Sequence, residues 1–125
     1  MIEQHLKTLS NDYNFPYNHL NKILTCDLTP PFTIQYRDKK LKFLGIIDQK
    51  ISDNKEDLFL KLMQLNLGLE TVEHLSLGLT SDDKICLNAE FCYEINYKML
   101  KDQIESFANH LDRISVMVEQ LNKKS

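Results

Sequence analysis

Phe32-Thr33-Ile34-Gln35-Tyr36-Arg37-Asp38-Lys39-Lys40-Leu41-Lys42-Phe43-Leu44-Gly45-Ile46-Ile47-Asp48-Gln49 is the stretch that decides how this chain folds. From Phe32 to Arg37 every second residue is apolar, the pattern of a strand with one face on a core and one toward water. Asp38-Lys39-Lys40 turns the chain into a second strand, Leu41 to Gln49. Here Leu41, Phe43 and Ile47 share one face while Leu44 and Ile46 take the other. Antiparallel strands with one solvated face alternate apolar and polar, so apolar groups on both faces call for a second surface to cover them. Pro30 and Pro31 stand just before the first strand, where a missing amide donor does least harm.

Upstream of this hairpin, Ile2, Leu6, Leu9 and Tyr13 recur at spacings of four, three and four, one stripe of a helix. Asn14-Phe15-Pro16 ends it, because the residue before a proline is pushed out of helical geometry. Lys22 to Leu28 is read as a further strand of imperfect alternation. Downstream, Ser52-Asp53-Asn54 offers helix caps, with Asp53 and Glu56 close to the spacing of a capping box. A helix is expected from about Lys55 to Gly68, where the glycine supplies a stop. After Glu73-His74, Leu75, Leu77 and Leu79 alternate with Ser76, Gly78 and Thr80. Ser81-Asp82-Asp83-Lys84 reads as a hairpin turn. Ile85 to Ile95 is the cleanest alternation in the chain. Asn96 then caps a last helix in which Leu100, Ile104, Phe107, Leu111, Ile114, Val118 and Leu121 keep a four-three spacing. That spacing suits a coiled coil too, but the mixed side chains lack the a/d regularity of a zipper. A helix packed on its own sheet is the expectation.

The fold class that results is α+β: an antiparallel sheet of about five strands with three helices, one face helix-covered, in the order helix-strand-strand-strand-helix-strand-strand-helix. Residues 1–125 form one domain, the commonest size for one.

The middle helix carries too much apolar surface for one core. At about 100° per residue, Leu58, Leu62, Leu65 and Leu69 form one row; Phe59, Met63 and Leu67 form a second that Leu60 extends, giving an arc of roughly 220° against the ~100° one core needs. Either the helix is sandwiched within its own domain, or the second row meets another molecule. A homodimer is the commonest closed assembly that would cover it.

Composition narrows the function classes. Apolar residues make up 42% and charged residues 26% of the chain, as in ordinary globular domains. The 15 basic and 18 acidic residues leave a net charge of −3, with a pI near 5.8. Nucleic-acid binding needs clustered positive charge, so no nucleic-acid partner is expected. The small groups Lys39-Lys40 with Lys42 and Lys123-Lys124 read as a hairpin tip and a frayed helix end. No run approaches the roughly 18 apolar residues of a membrane span, and the N-terminus lacks the apolar core of a secretory signal. The three cysteines form no CxxC pair; Cys86 and Cys92 are about 20 Å apart along one strand, and reduced thiols fit a cytosolic protein.

No catalytic pattern is present. There is no GxSxG elbow, no phosphate-binding glycine run and no HExxH. His5, His19, His74 and His110 are scattered, with His74 beside Glu73 in a turn, and no metal ligand set is expected. Cys92 has Glu90 and Glu94 on its strand face, which disfavours a thiolate. Asp53, Asp82 and Asp83 are cap and turn residues. The expectation is a protein that is not an enzyme and uses no cofactor.

Leu58-Phe59-Leu60-Lys61-Leu62-Met63-Gln64-Leu65-Asn66, followed by Leu75-Ser76-Leu77-Gly78-Leu79, an acidic turn, Ile85-Cys86-Leu87 and a final amphipathic helix, resembles the class I type III secretion chaperones, the family that includes the chaperone of the translocated intimin receptor. Thr71-Val72-Glu73-His74 departs from the glycine-richer approach common there. The resemblance implies a non-catalytic homodimer in the bacterial cytosol. Such a protein holds the extended N-terminal segment of a secreted effector and keeps it competent for secretion. It hands the client to the secretion machinery, whose ATPase supplies the energy. Effectors of this kind place apolar side chains in surface grooves and add a strand to a sheet edge. Carried onto this chain, the dimer interface is Phe59, Leu60, Met63 and Leu67 with Leu77, and the effector-binding residues are Leu44 and Ile46 with Leu28 and Tyr13. Leu44 and Ile46 have a second reading, coverage by the first helix of the same subunit. Two other functions stay open: an adaptor of the same fold that binds a folded partner, and a small-ligand-binding α+β domain. The last would need converging polar groups on the core face.

Overall fold

A computed structural model describes residues 2–47, 60, 64, 75–81, 84–92 and 95–123. Helix α1 runs over Ile2–Tyr13 and ends where Asn14 turns to a φ of 56° ahead of Pro16. Its buried residues are Ile2, Leu6 and Leu9, so the stripe read from the sequence is the face that packs. Tyr13 stands outside it.

Six strands follow: β1 (Tyr17–Asn18), β2 (Ile23–Cys26), β3 (Phe32–Arg37), β4 (Lys40–Ile47), β5 (Leu75–Leu79) and β6 (Ile85–Cys92). They form one antiparallel sheet in the order β1-β2-β3-β4-β6-β5. The sequence reading expects about five strands. The additional one is β1, two residues paired with Ile23 and Leu24, too short to carry any alternation. The α+β class and the helix-covered face stand. Two helices lie among the described residues, α1 and α2 (Tyr97–Lys123). The helix expected over Lys55 to Gly68 lies outside them except for Leu60 and Gln64, which are helical and exposed.

The β3–β4 connection is a two-residue turn in which Asp38 and Lys39 both have positive φ, 54° and 62°. That backbone matches the twist of the strands it joins. It sets a register in which Tyr36 opposes Leu41 and Ile34 opposes Phe43. Side chains of one parity therefore gather on one face: Leu24, Cys26, Phe32, Ile34, Leu41, Phe43, Ile47, Leu75, Ile85, Leu87 and Ala89 are all buried there. The rings of Phe32, Phe43 and Phe107 meet at the centre, with centroids 4.9 Å apart for Phe32–Phe107 and 5.3 Å for Phe43–Phe107.

Helix α2 closes this layer. Asn96 caps it, its Oδ1 accepting from the amide of Met99 at 2.8 Å. Leu100, Ile104, Phe107, Leu111, Ile114 and Val118 are buried, so the four-three stripe packs on the sheet and is not a coiled-coil seam; the side chain of Leu121 lies outside the described set. The close approach depends on Gly45. A Cβ built there would lie 2.6 and 2.7 Å from the two terminal carbons of Leu111, inside any tolerable contact. Gly78, on the opposite face, meets nothing nearer than 3.6 Å.

Gly45→Val should therefore force Leu111 and α2 away from the sheet and cost about 1–3 kcal/mol. Gly78→Ala should leave stability unchanged or raise it by up to about 1 kcal/mol. Urea unfolding of the two variants beside the parent checks the contrast.

Candidate binding faces

The sheet face away from the helices is built by the other parity of each strand. Three rows cross it in register. Ile46, Cys86 and Gly78 form the first. Thr33, Leu44, Asn88 and Ser76 form the second. Ile23, Gln35, Lys42 and Glu90 form the third. Down the strands the surface thus passes from apolar and small, through neutral polar, to charged. The second and third rows line an open hollow of about 620 Å³. Leu44 is 36% exposed and Ile46 42% exposed. Helix α1 packs on the other side of the sheet with its buried face in the same core as Leu24 and Phe32, so it does not cover them. Two large hydrocarbons thus flank a polar hollow whose amides and hydroxyls can bond a partner's backbone. Asn88 keeps one such bond at home, donating from Nδ2 to the Cys86 sulfur at 3.4 Å.

Tyr13 and Leu28 come together elsewhere. They border a second hollow, about 590 Å³, in the notch between α1 and the first turns of α2. Leu9, Phe15, Ile104 and Ala108 form its floor, and the small Ala108 leaves depth between the helices. Tyr13 is 49% exposed and Leu28 39%. The notch is pinned at one end. The Tyr13 ring stacks on Phe15 at 5.6 Å, and Lys101 places its Nζ 5.9 Å from the Tyr13 centroid and 5.6 Å from that of Tyr97. The Tyr97 hydroxyl donates to Asp12 Oδ2 at 2.7 Å. Desolvation first, then that hydrogen bond and the charge of Asp12, push the Tyr97 hydroxyl up to about 12. The proton stays on Tyr97 at any physiological pH, and the tie between the helices with it.

The four residues assigned to one effector surface therefore divide into two pairs, Leu44 with Ile46 and Tyr13 with Leu28, on opposite sides of the sheet. Sequence reasoning missed Phe15, Tyr97, Lys101 and Ala108. The last two belong with Tyr97 and Ile104 to a four-three stripe beside the core stripe of α2, which was the available signal. It also missed the polar rows, since Thr33, Gln35 and Asn88 look like ordinary solvent-facing residues. Of the dimer set, Leu60 is helical and 61% exposed. Leu77 lies on edge strand β5, partly buried against the core. Phe59, Met63 and Leu67 lie outside the described residues, as do His74, Asp53 and the Asp82-Asp83 pair.

Among the described residues no group of three His, Cys, Asp or Glu side chains gathers as a metal site would require, and no described helix is long and apolar enough to cross a membrane. The Cys26 thiol is buried, and desolvation pushes it up to about 12, far from the range of a nucleophile.

No protein-family model matches the sequence, and no curated protein matches it either. Solved structures do. A chain of the ExsC–ExsE complex superposes with a TM-score of 0.74 at 12% identity, covering 94% of this chain and 92% of that one. A chain of the heterodimeric ExoU–SpcU complex from the type III secretion system of Pseudomonas aeruginosa gives 0.67 at 15% identity, covering 96% and 99%. A chain of the complex between the Yersinia pestis type III secretion chaperone SycH and a fragment of YscM2 gives 0.63 at 12%, covering 90% and 98%. The chain has a class I type III secretion chaperone-like fold. The resemblance read from leucine-rich segments thus holds at the level of architecture, over nearly the full length of both partners in each comparison.

Because Leu44 and Ile46 face outward, Leu44→Asp with Ile46→Asp should keep the native circular dichroism spectrum and a thermal midpoint within a few degrees of the parent. Phe43→Ala, one residue away on the core face, should cost about 3–5 kcal/mol. Thermal and urea melts of both variants separate the two faces.

Proposed function

We propose that this protein is a non-catalytic chaperone for a type III secreted effector, acting as a homodimer in the bacterial cytosol. It binds the extended N-terminal segment of its client and keeps that segment competent for secretion. The observation that carries the reading is Leu44 and Ile46 on an uncovered sheet face, beside a hollow lined by the polar groups of Thr33, Ser76 and Asn88 with Lys42 and Glu90 at one side, in a fold similar to that of chains from the ExsC–ExsE, ExoU–SpcU and SycH–YscM2 complexes. A small-ligand site would enclose its occupant. This surface is open and crosses four strands, which suits a chain laid across it.

Binding of this kind has a characteristic energetic balance. An extended client loses backbone freedom over every residue it orders, so affinity per unit area is low. Burying leucine-sized side chains against Leu44 and Ile46 offsets that cost, at about 25 cal/mol per Å² of apolar surface. A client long enough to go around the sheet can also reach the notch with Tyr13 and Leu28, and two linked contacts raise avidity by effective concentration. Release then needs no chemistry at this protein. Handover to the secretion-system ATPase supplies the energy.

The dimer rests on the surplus of the middle helix. Leu60 is exposed, and by the helical periodicity of the sequence it extends a row of Phe59, Met63 and Leu67, with Leu77 contributing from the sheet edge. An isologous contact of about 1,200 Å² or more would make a stable pair.

Copurification from the native cell identifies the client, and calorimetry with its N-terminal segment tests the reading. Leu44→Asp with Ile46→Asp should weaken binding by about tenfold or more, and Tyr13→Ala with Leu28→Asp by a smaller factor. Unchanged affinity in both variants would remove the proposed surfaces. Met63→Glu should give a monomer or an aggregate on light scattering, and a normal dimer would reject that helix face.

A further inference from the structure

One end of the sheet carries a feature that client binding does not use. The β1–β2 turn there presents Leu20, which at 90% exposure is the most exposed large hydrophobic side chain among the described residues. Its position is fixed by the backbone: Asn18 Oδ1 accepts from the amides of Leu20 and Asn21 at 3.0 and 3.1 Å. Lys22 closes the turn at a φ of 56°, its amino group 5.5 Å from the Tyr36 ring. The β3–β4 turn, with Lys39 at a φ of 62°, stands at the same end of the sheet. Two strand spacings separate the turns, about 10 Å.

The charge at this end runs against that of the whole chain. Among the described residues, Lys22, Arg37, Lys39, Lys40 and Lys42 stand here with Asp38 and Glu90. Arg37 pairs with Asp38 at 3.8 Å and Lys40 with Glu90 at 3.6 Å, both exposed. Lys22, Lys39 and Lys42 have no carboxylate partner among the described residues. The net charge of the protein is −3, so this is a local basic patch on an acidic molecule. Two of its lysines also occupy left-handed backbone, where glycine or asparagine is the easier residue. Lys22 lays its amino group over the Tyr36 ring, and Lys39 is exposed at the tip of its turn.

We infer that this end of the sheet docks an acidic amphipathic helix of a third protein, with Leu20 seated in the helix's apolar row and Lys22 and Lys39 on flanking carboxylates. A helix is 10–12 Å across, which matches the spacing of the two turns. Lysines on two turns about 10 Å apart can reach carboxylates on both flanks of one helix, so the charges complement each other across it. A single leucine is little apolar area for membrane attachment, and the net charge of −3 opposes approach to an anionic lipid surface. Leu20, Lys22 and Lys39 stand on the turns, beyond the rows around Leu44, while Lys42 and Glu90 border both surfaces; the inference does not depend on the identity of the client.

The test uses the full chain and a synthetic helical peptide of about 16 residues, with leucines at helix spacing and glutamates beside them. Binding is followed by fluorescence anisotropy in 50 mM and 200 mM salt. Lys22→Gly with Lys39→Gly keeps the turns, since glycine suits positive φ, and circular dichroism should show the fold intact. The expected result is binding by the parent, weakened about tenfold in the double variant, a few-fold for each exposed charge pair lost. It should weaken further in high salt and be lost in Leu20→Asp or with glutamines replacing the peptide's glutamates. No binding by the parent, or equal binding by the variants, overturns the inference. Lysine-dependent binding to vesicles containing phosphatidylserine that exceeds binding to the peptide also overturns it, in favour of a membrane surface.

Discussion

Strand β4 is the element on which the rest of the structure depends. It is hydrogen-bonded on both sides, to β3 over Lys40–Leu44 and to β6 along its whole length, so it cannot shift without moving the sheet. Its residues alternate strictly between faces, and a slip of one residue would exchange those faces completely. Phe43 then leaves the Phe32–Phe107 cluster and Gly45 leaves its place under Leu111. The near-contact at Gly45 enforces the register from the helix side: any other residue of β4 in that place would hold α2 off the sheet. The same register sends Leu44 and Ile46 outward. The exposed apolar pair is a consequence of how the core is packed.

That coupling accounts for what could be read from the sequence. Period-two alternation in residues 32–47 and 85–92, and the four-three stripes of α1 and α2, are properties of single elements, and each was legible. Leu44 and Ile46 were legible for the same reason, as exceptions to the alternation of their own strand. The notch was only half legible. Tyr13 and Leu28 were named only through the family resemblance, and Leu28 lies beyond the end of β2. Its approach to α2 is a matter of tertiary packing. Lys101 and Ala108 showed only as members of a four-three stripe beside the core stripe of α2, and neither residue type stands out on a helix. β1 was invisible because two residues carry no period. The two-row division of the middle helix stays an expectation of the sequence, with exposed Leu60 as its one described member.

The two hollows differ in what they offer. On the sheet face, amide and hydroxyl side chains at Thr33, Asn88 and Ser76 provide hydrogen-bonding partners next to hydrocarbon. They suit a chain whose own backbone groups are free. In the notch, both helices have their backbone bonds satisfied internally, and the floor is hydrocarbon and aromatic. Only side chains can be accommodated there without stranding polar groups of the partner. The hydrogen bond from Tyr97 to Asp12, with Lys101 near both tyrosine rings, joins the two helices at one end of that notch. A client that uses both surfaces needs an extended part for the first and apolar anchors for the second.

The claim that most needs testing is that the uncovered sheet face around β4 receives the client. Methyl-labelled protein, with leucine and isoleucine signals assigned, can be titrated with the N-terminal segment of the copurified partner and followed by NMR. Large shifts or broadening are expected at Leu44 and Ile46, with Leu41 and Ile47, the buried neighbours on the same strand, changing little. Unperturbed Leu44 and Ile46 methyls in a saturated complex would contradict the claim.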